Sequence, residues 1–233
     1  MLKVAIMQPY FLPYIGYFQL INAVDEFILY DDVNYIKKGW INRNNVLLSG
    51  KASLFTIPLK EASQNKLINE IEISQEGNWQ NKLLKTIEQS YKKSPQFDEF
   101  FPILTKIIHY GETNISTYIL HSIVQICNYL EINTTIIPSS SVFNNVELKA
   151  QNRIIDICKK KQATQYINPI GGTELYQKEN FDKENIMLNF IKTKPIQYTQ
   201  FSNEFVPYLS IIDSIMFNDK AILKKLLNEY ELI

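Results

Sequence analysis

The sequence is poor in the residues that build disulfide frameworks and zinc sites. It contains two cysteines, Cys127 and Cys158, and two histidines, His109 and His121. Both cysteines fall in apolar helical patterns rather than at CxxC spacing, and no Cys, His and Asp cluster has the spacing of a metal site. A Walker loop, a GxGxxG loop and a GxSxG elbow are also absent from the sequence. We therefore expect no metal and no tightly bound cofactor, and a serine or cysteine nucleophile is unsupported.

Neither sign of charge is in excess, because 24 basic and 24 acidic residues give a formal net charge of +0. A chain without net positive charge has no global field that attracts nucleic acid or an anionic membrane, so we expect no nucleic-acid partner. No stretch approaches the ~18 uninterrupted apolar residues of a membrane helix, and no basic segment precedes the first apolar run. These absences predict a soluble, cytoplasmic protein that does not insert into membranes.

Arginine is almost absent, since only Arg43 and Arg153 occur among the 24 basic residues. Lysine serves wherever a point charge suffices, whereas a planar guanidinium can grip a carboxylate or phosphate with paired hydrogen bonds. Arg43 lies beside a predicted strand end, which favours a functional role. Arg153 lies inside a helical pattern, where a functional role and an ordinary surface ion pair fit the sequence equally well.

The chain is organised around its first 45 residues, which predict a strand, a helix and a second strand. Lys3–Met7 is a short apolar run that ends at a proline, as in a strand buried on both faces. Apolar residues at helical spacing follow from Tyr14, and Glu26–Tyr30 is the second apolar run. This order predicts a parallel crossover unit, in which ligands bind beyond the carboxyl ends of the strands. Those ends carry residues 8–17 and 31–43, so we place the active site there.

The remainder of the chain alternates between helical and strand patterns. Two apolar runs around Ser49-Gly50-Lys51 predict a hairpin over Asn45–Leu59, which we place at the edge of the parallel sheet. Three amphipathic patterns in series predict an inserted helical block at about 78–131. The predicted helices are 78–93, 97–110, 114–130, 148–161, 206–217 and 219–230, and the predicted strands are 66–74, 134–138, 165–169 and 184–192.

Strands that alternate with helices at both ends of the chain predict an α/β fold. We expect a mainly parallel, Rossmann-like sheet flanked by helices, with an antiparallel hairpin and the helical block as additions. At 233 residues the chain can bury a substantial core, and we expect one domain over 1–233.

The loop after the first strand carries polar and aromatic residues at the start of the helix. Gln8 and Tyr10 follow the strand, and Tyr14-Ile15-Gly16-Tyr17 begins the helix. This layout resembles the HxGH signature of the nucleotidylyltransferase superfamily, with tyrosines at both histidine positions. A tyrosine carries no positive charge near neutral pH, so the machinery for adenylyl transfer is missing. Substrate binding by these tyrosines and packing of Tyr14 and Tyr17 in the core both fit the pattern.

A pair of carboxylates, Asp31 and Asp32, follows the second predicted strand. Paired carboxylates at a strand end can bind a metal, hold an amine or act as a general base. The next loop supplies carboxamides, cations and an aromatic ring, which suit sugar hydroxyls, sugar rings or a nucleobase. The candidate substrate-binding residues of this loop are Asn34, Lys38, Trp40 and Arg43, and Asn42 joins Asp31 and Asp32 as a candidate catalytic residue.

A glycine pair follows the predicted strand at 165–169. Asn168, Gly171, Gly172 and Thr173 place backbone N–H groups and a hydroxyl at a strand end, which can form a cradle for an anion. An ordinary turn explains a double glycine nearly as well. We therefore retain these four residues as candidate substrate-binding residues with both interpretations open.

Three long motifs give the chain its resemblance to a known family. They read MQPYFLPYIGYFQLINAVDEFILYDDVNYIKKGWINRN, YINPIGGTELY and SIIDSIMFN. Together they closely resemble the WbqC-like family of bacterial proteins over nearly the whole chain. The resemblance implies a role in O-antigen or other surface-polysaccharide biosynthesis, as a glycine or aminoacyl transferase that acylates an amino sugar.

These residues suggest a mechanism for such a transfer. The partner is a nucleotide-linked amino sugar, and the co-substrate is an acyl group on a carrier-protein thioester or an adenylate. We expect Asp31 or Asp32 to remove the proton of the amine, and Asn42, Asn34 or backbone N–H groups to hold the oxyanion. Arg43 and the glycine turn would bind phosphates, and Trp40 and the tyrosines would stack on sugar or base.

The mechanism requires Asp32, Arg43 and Tyr14 to face one shared cleft. Two other functions fit the sequence less fully. One is nucleotidyl transfer, which would release pyrophosphate from a nucleoside triphosphate. The other is a non-catalytic module that binds sugar nucleotides or scaffolds a biosynthetic complex.

Overall fold

A central six-stranded sheet organises the protein, which a computed structural model describes over residues 1–201 and 204–233. Over these described residues the ten strands are β1 (Lys3–Met7), β2 (Glu26–Leu29), β3 (Arg43–Leu48), β4 (Lys51–Thr56), β5 (Leu59–Lys60), β6 (Glu72–Ile73), β7 (Thr135–Ile137), β8 (Gln165–Pro169), β9 (Met187–Thr193) and β10 (Tyr230–Leu232). The helices of the described residues are α1 (Ile15–Asn22), α2 (Trp79–Tyr91), α3 (Phe97–Ile108), α4 (Ile115–Tyr129), α5 (Ala150–Lys160), α6 (Lys178–Asp182), α7 (Ile211–Phe217) and α8 (Lys220–Leu226).

The order of strands in the sheet is β10-β9-β8-β1-β2-β7, and every pair except β10 with β9 is parallel. The strand β1 lies in the middle because its apolar residues are buried on both faces of the sheet. The predicted α/β fold with a mainly parallel sheet, flanking helices and an antiparallel hairpin is therefore confirmed.

Helices cover the two faces of the sheet, and the side they take changes at β1. The helix α1, which follows β1, packs in one core cluster with Ala5 and Leu29. The helices α5 and α6, which flank β8 in the chain, pack in the other cluster with Val4 and Ile6. The chain thus leaves neighbouring β1 and β8 toward opposite faces, the arrangement at which α/β proteins generally bind ligands, beyond the carboxyl ends of the strands.

The predicted hairpin forms, but it does not extend the parallel sheet. Its strands β3 and β4 make a separate two-stranded sheet, so the expected placement at the edge of the parallel sheet was wrong. The hairpin is held elsewhere, because the Leu47 N–H donates to the Tyr91 hydroxyl of α2 at 2.8 Å and the Ser210 N–H donates to the Asn45 carbonyl at 2.8 Å. The helical block α2 to α4 contributes to the same core cluster as α1.

The C-terminal segment differs from the prediction. The helix predicted over 219–230 stops at Leu226, and Tyr230–Leu232 pairs antiparallel with β9, so the antiparallel edge strand is β10. The helix predicted over 206–217 begins only at Ile211, after Pro207. The predicted strand at 66–74 reduces to Glu72–Ile73, which pairs with β5. No helix in the described part of the chain combines the length and apolarity needed to cross a membrane.

Candidate functional site at the carboxyl edge of the sheet

Asp32 at the end of β2 is half of a buried ion pair with Arg153 of α5. The guanidinium Nη2 lies 2.5 Å from the Asp32 carboxylate, and both side chains are almost inaccessible to water. Arg153 also donates from Nε to Asn145 Oδ1 at 2.9 Å, and its guanidinium lies 5.0 Å from the centre of the Tyr30 ring. Arg153 therefore balances the charge of Asp32 and fixes that residue against α5. The sequence left open a functional role and an ordinary surface ion pair for Arg153, and the structure shows a buried ion pair.

Asp31 has a different environment from its neighbour. Its carboxylate accepts hydrogen bonds from the hydroxyl of Ser116 at 2.7 Å and from that of Ser139 at 2.6 Å. Burial raises the pKa of the Asp31 carboxyl above its ordinary value, while the two serine hydrogen bonds act in the opposite direction. Two adjacent carboxylates in unlike environments are typical of acid–base sites, because one can change protonation while the other stays ionised.

A chain of hydroxyls connects Asp31 to the surface. The Ser139 and Ser141 oxygens are 2.7 Å apart, and Ser141 is exposed. Since the Ser139 proton points to Asp31, Ser141 is the donor in this bond. Ser140, between them, donates to the carboxylate of Asp32. We call Asp31, Ser139 and Ser141 the Asp31 relay.

These serines were not among the residues predicted for the site. The signal was present, because three consecutive serines follow Pro138 directly after a predicted strand. Carboxyl ends of neighbouring parallel strands meet at one edge of the sheet, and β7 pairs with β2. The pairing of β7 with β2 therefore places Ser139 and Ser140 beside Asp31 and Asp32.

The residues after β1 divide into buried and open side chains. The Tyr17 hydroxyl donates to the Gln8 carbonyl at 2.8 Å, and the Tyr17 side chain is buried. The half-buried Tyr10 ring lies 5.7 Å from that of Tyr17. Tyr14 is 38% exposed, and its ring lies over Gly16, where a Cβ atom would come within 2.3 Å of it. The glycine makes room for the Tyr14 ring, and Tyr17 occupies the second histidine position as a packed core residue.

The glycine turn after β8 is built around Asn168. The Asn168 amide donates to the Tyr166 hydroxyl at 2.7 Å, and a Cβ on Gly172 would come within 2.0 Å of Asn168 Oδ1. Gly172 is therefore required by close packing against the carboxamide. Gly171 and Thr173 are exposed, and open space surrounds Gly171.

The loop at 34–43 is held by its own polar side chains. The Asn42 amide is buried, donates to the Ile57 carbonyl at 2.7 Å and accepts from the Tyr35 hydroxyl at 2.9 Å. The exposed Asn34 donates to the Gln64 carbonyl at 2.6 Å. Both carboxamides thus have backbone partners, and each joins the loop to a neighbouring segment.

Arg43, Trp40 and Lys38 lie on the outer side of this loop. Arg43 Nε donates to the Gly39 carbonyl at 2.9 Å, and its guanidinium lies 5.8 Å from the centre of the Trp40 ring. Trp40 is 47% exposed, and Lys38 is exposed with a φ of +61°. Within residues 1–201 and 204–233 Arg43 makes no ion pair, so this arginine orients the loop and the tryptophan.

A cavity of ≈ 760 Å³ lies beyond the carboxyl end of β9, and we call it the β9 cavity. Its walls are largely apolar and aromatic, with a few hydroxyls and charged groups. The lining residues are Tyr14, Ile15, Lys192, Thr193, Lys194, Pro195, Ile196, Gln197, Tyr198, Phe205, Pro207, Tyr208, Leu209, Ser214 and Glu231. A second cavity, of ≈ 740 Å³, lies between the β3–β4 turn and α2.

The expected cleft shared by Asp32, Arg43 and Tyr14 is not formed by either cavity. Tyr14 lines the β9 cavity, whereas Asp32 and Arg43 line neither of the two. The strand order explains the separation, since β9 and β2 are three strand spacings apart, about 14 Å. Asp32 moreover turns toward α5, on the face of the sheet opposite α1.

A third buried carboxylate, Asp213 of α7, lies behind the wall of the β9 cavity. It accepts from the hydroxyls of Tyr91 at 3.0 Å and Tyr198 at 2.7 Å and from the Gln200 amide at 2.6 Å. Burial raises the pKa of the Asp213 carboxyl above its ordinary value. In the sequence this residue belongs to the motif SIIDSIMFN and to the predicted helix over 206–217. Among the described residues, no group of three or more His, Cys, Asp and Glu side chains could hold a metal ion.

Comparisons with known proteins agree with the motifs. Residues 8–225 match the family model described as the WbqC-like protein family. The chain is 30% identical over 221 residues to a Mycobacterium tuberculosis protein, described as uncharacterized protein Rv1507c, and the match covers 94% of each chain. No solved structure matches the chain. Because the family match covers residues 8–225, which include the Asp31 relay and most residues that line the β9 cavity, the chain belongs to the WbqC-like protein family.

Proposed function

We propose that the protein is a transferase of bacterial surface-polysaccharide (O-antigen) biosynthesis. It would acylate the amine of a nucleotide-linked deoxy-amino sugar, by transfer of glycine or another aminoacyl group. The observation that carries this proposal is the Asp31 relay, in which a buried carboxylate is joined to an exposed hydroxyl by hydrogen bonds of 2.6 and 2.7 Å. Such a chain can take a proton from a surface-bound amine without exposing the base.

The reaction uses the relay as a general base. The amine nitrogen attacks the carbonyl carbon of the acyl group, so that a C–N bond forms. The bond from that carbon to the carrier sulfur, or to the phosphate oxygen of an adenylate, breaks. One amine proton passes to Ser141, the Ser141 proton passes to Ser139, and the Ser139 proton passes to Asp31. The leaving thiolate or phosphate departs with the bonding electron pair.

The neighbouring ion pair supports this use of Asp31. Arg153 lies 2.5 Å from the Asp32 carboxylate and balances its charge, whereas the Asp31 carboxylate accepts from the neutral hydroxyls of Ser116 and Ser139. Burial raises the pKa of the Asp31 carboxyl, which moves the base toward the pH at which it operates. We do not assign the oxyanion to Asn42 or Asn34, because both amides donate to backbone carbonyls.

The proposal is tested by assaying transfer directly. The protein is incubated with glycyl donors, a carrier-protein thioester and an adenylate, and with a panel of nucleotide-linked amino sugars, and the acylated product is identified by mass spectrometry. Removal of a general base slows such a step by roughly a hundredfold or more, so we expect that loss for Asp31→Asn. Asp25→Asn is the matched control, because Asp25 precedes the opposite end of β2 and is exposed.

Transfer by Asp31→Asn at the wild-type rate, with both proteins folded, would exclude Asp31 as the base. A cellular comparison names the substrate: the surface glycan of cells without the protein should lack one N-linked substituent. An unchanged glycan would count against the role in polysaccharide biosynthesis.

The β9 cavity also supports a second candidate, a non-catalytic module that binds sugar nucleotides, which binding without turnover in the same assay would favour. Nucleotidyl transfer is less well supported, because the Tyr17 hydroxyl at the second histidine position is buried and bonded to the Gln8 carbonyl. Release of pyrophosphate from a nucleoside triphosphate would reverse that ranking.

A further inference from the structure

The β9 cavity has the size and composition of a small-molecule site. Its volume of ≈ 760 Å³ lies within the range of about 300 to 1,000 Å³ that ligand pockets occupy. The walls combine rigid apolar surface from Pro195 and Pro207 with the polar residues Tyr198 and Thr193, whose hydroxyls donate to Asp213 and Gln19. The Asp31 relay uses none of these residues, so the proposed chemistry leaves the cavity without a role.

Two tyrosines that line this cavity, Tyr208 and Tyr14, have solvent-exposed side chains. The Tyr208 side chain is 82% exposed, and its φ of +58° lies in the left-handed region that bulky side chains rarely adopt. Strained residues of this kind cluster at ligand clamps and active sites. Tyr14, 38% exposed, lines the same cavity and has its ring held over Gly16. The exposed face of an aromatic ring is suited to stacking on a planar ring.

Groups that attract an anion lie beside the tyrosines. Lys192 and Lys194 both line the cavity, and their ammonium groups pair with Glu231 at 3.0 Å and Glu229 at 3.5 Å. These are half-exposed surface pairs, which bind weakly and can exchange a carboxylate for another anion. Ile15, at the start of α1, also lines the cavity, and the first N–H groups of a helix have no partner within the helix.

We propose that the β9 cavity binds the nucleotide part of the sugar nucleotide. The base stacks on Tyr208 and Tyr14, and the phosphates lie at Lys192, Lys194 and the start of α1. This inference rests on the proposed function for the choice of a nucleotide-linked substrate. The half-buried side chains of Tyr10 and Gln8 lie between the cavity and the carboxyl end of β2 in the order of the strands.

The separation of the two sites fits this arrangement. The carboxyl ends of β9 and β7, the strand that precedes Ser141, are four strand spacings apart, about 19 Å, and a diphosphate linkage separates the base from the amino sugar by several bonds. A nucleotide bound at the β9 cavity can therefore extend its sugar along the carboxyl edge toward Ser141. Binding energy from the remote nucleotide then positions the amine for reaction.

Calorimetric titration of the full chain tests the proposal. The probes are UDP and dTDP, with uridine and inorganic pyrophosphate as the separate halves of the ligand. We expect at least one nucleotide to bind more tightly than either half. Tyr208→Ala should weaken its binding by roughly tenfold, as loss of one stacking contact does. Lys194→Ala should also weaken it and reduce its sensitivity to salt.

The controls match these variants in type and exposure. Lys60→Ala removes a lysine that pairs with Glu72 at 3.2 Å across a short two-stranded ladder, as Lys194 does across the β9–β10 ladder. Leu175→Ala truncates an apolar side chain that is 69% exposed and lies outside the cavity. Both should bind the nucleotide as the wild type does.

Three results would overturn the proposal: no saturable binding of either nucleotide, equal binding of pyrophosphate, or unchanged binding by Tyr208→Ala. The outcome is separable from that of the proposed function. Nucleotide binding that depends on Tyr208, with no acyl transfer, would sustain the cavity and overturn the transferase. Acyl transfer with a KM for the sugar nucleotide that is unchanged in Tyr208→Ala would sustain the transferase and overturn the nucleotide site in the cavity.

Discussion

Arg153 and Asp32 are each other's buried partner, and neither can be removed without leaving a charge behind. Uncompensated burial of a charge is strongly destabilising, whereas replacement of both members of a pair is far milder. The pair also tethers the end of β2 to α5 and so positions the carboxylate next to it, Asp31. Through Asp32, the Arg153 side chain therefore fixes the position of Asp31, the base of the proposed reaction.

We expect Arg153→Met to lower the free energy of unfolding by about 3–5 kcal/mol, because it leaves the Asp32 carboxylate buried and unpaired. The double variant Asp32→Asn with Arg153→Met should recover part of that loss. Urea denaturation measures both values. Arg43→Met is the control, and it should cost less than ~1 kcal/mol, since Arg43 has a single carbonyl contact and a half-exposed aromatic neighbour. Equal losses at the two arginines would contradict this account.

Asp213 gives the stability of the protein a pH dependence of known sign. Burial raises the pKa of its carboxyl in the folded state above the ordinary value of 3.8, so the folded protein binds this proton more tightly than the unfolded chain. The stability from this protonation is fully present below pH 3.8 and is lost as the pH rises through the folded-state pKa. Asp213→Asn does not titrate, and it should therefore gain stability relative to the wild type as the pH rises from about 4 to 7.

Urea denaturation of both proteins at a series of pH values measures this difference. The lost hydrogen bonds of the variant add a constant offset, so the slope with pH is the informative quantity. A difference in unfolding free energy that stays flat over the series would show that Asp213 titrates alike in the folded and unfolded states.

At the scale of elements, Tyr91 of α2 joins three parts of the fold. Its hydroxyl accepts from the Leu47 N–H of β3 at 2.8 Å and donates to Asp213 of α7 at 3.0 Å. The hairpin is thereby fixed against the helical block and the C-terminal helices, which compensates for its lack of a partner strand in the parallel sheet. The hydroxyl is fully buried, so water cannot replace either bond.

Tyr91→Phe should therefore destabilise the protein by about 1–3 kcal/mol, because it leaves a buried N–H and a buried carboxylate each short of a partner. Thermal and urea unfolding report the loss. Tyr208→Phe removes a hydroxyl from an exposed ring and should change stability by less than about 0.5 kcal/mol. Similar values for the two variants would mean that the Tyr91 hydroxyl does not connect these elements.

Local patterns predicted the elements that have strong local signals. The strand at Lys3–Met7 and the strand at Gln165–Pro169 have the predicted bounds, and the three helices of the block differ by only a few residues. The patterns failed where pairing decided the structure. The predicted helix over 219–230 runs into residues 230–232, which form a strand because β9 offers an unpaired edge. The hairpin sequence likewise contained no local signal for the part of the fold against which the hairpin packs.

At the scale of the whole molecule, the strand order decides which predicted residues can act together. The strand β1 lies between β8 and β2, so the residues after β1 are neighbours of both the glycine turn and the acid pair. The strand β9 lies at the far side of β8, which places Tyr14 and Tyr208 at one end of the carboxyl edge and the Asp31 relay near the other. A substrate that reaches both must be elongated.

The sequence by itself determined the α/β class and placed Asp31 and Asp32 as paired acids at the carboxyl edge of the sheet. These follow from hydrophobic period and from residues close in the chain, which local physical chemistry fixes. Only the tertiary structure decided that Arg153 balances the charge of Asp32, that Ser139 and Ser141 form a hydrogen-bonded chain to Asp31, and that Tyr14 lines the β9 cavity. Those contacts join residues more than a hundred positions apart, and strand pairing across the sheet creates them.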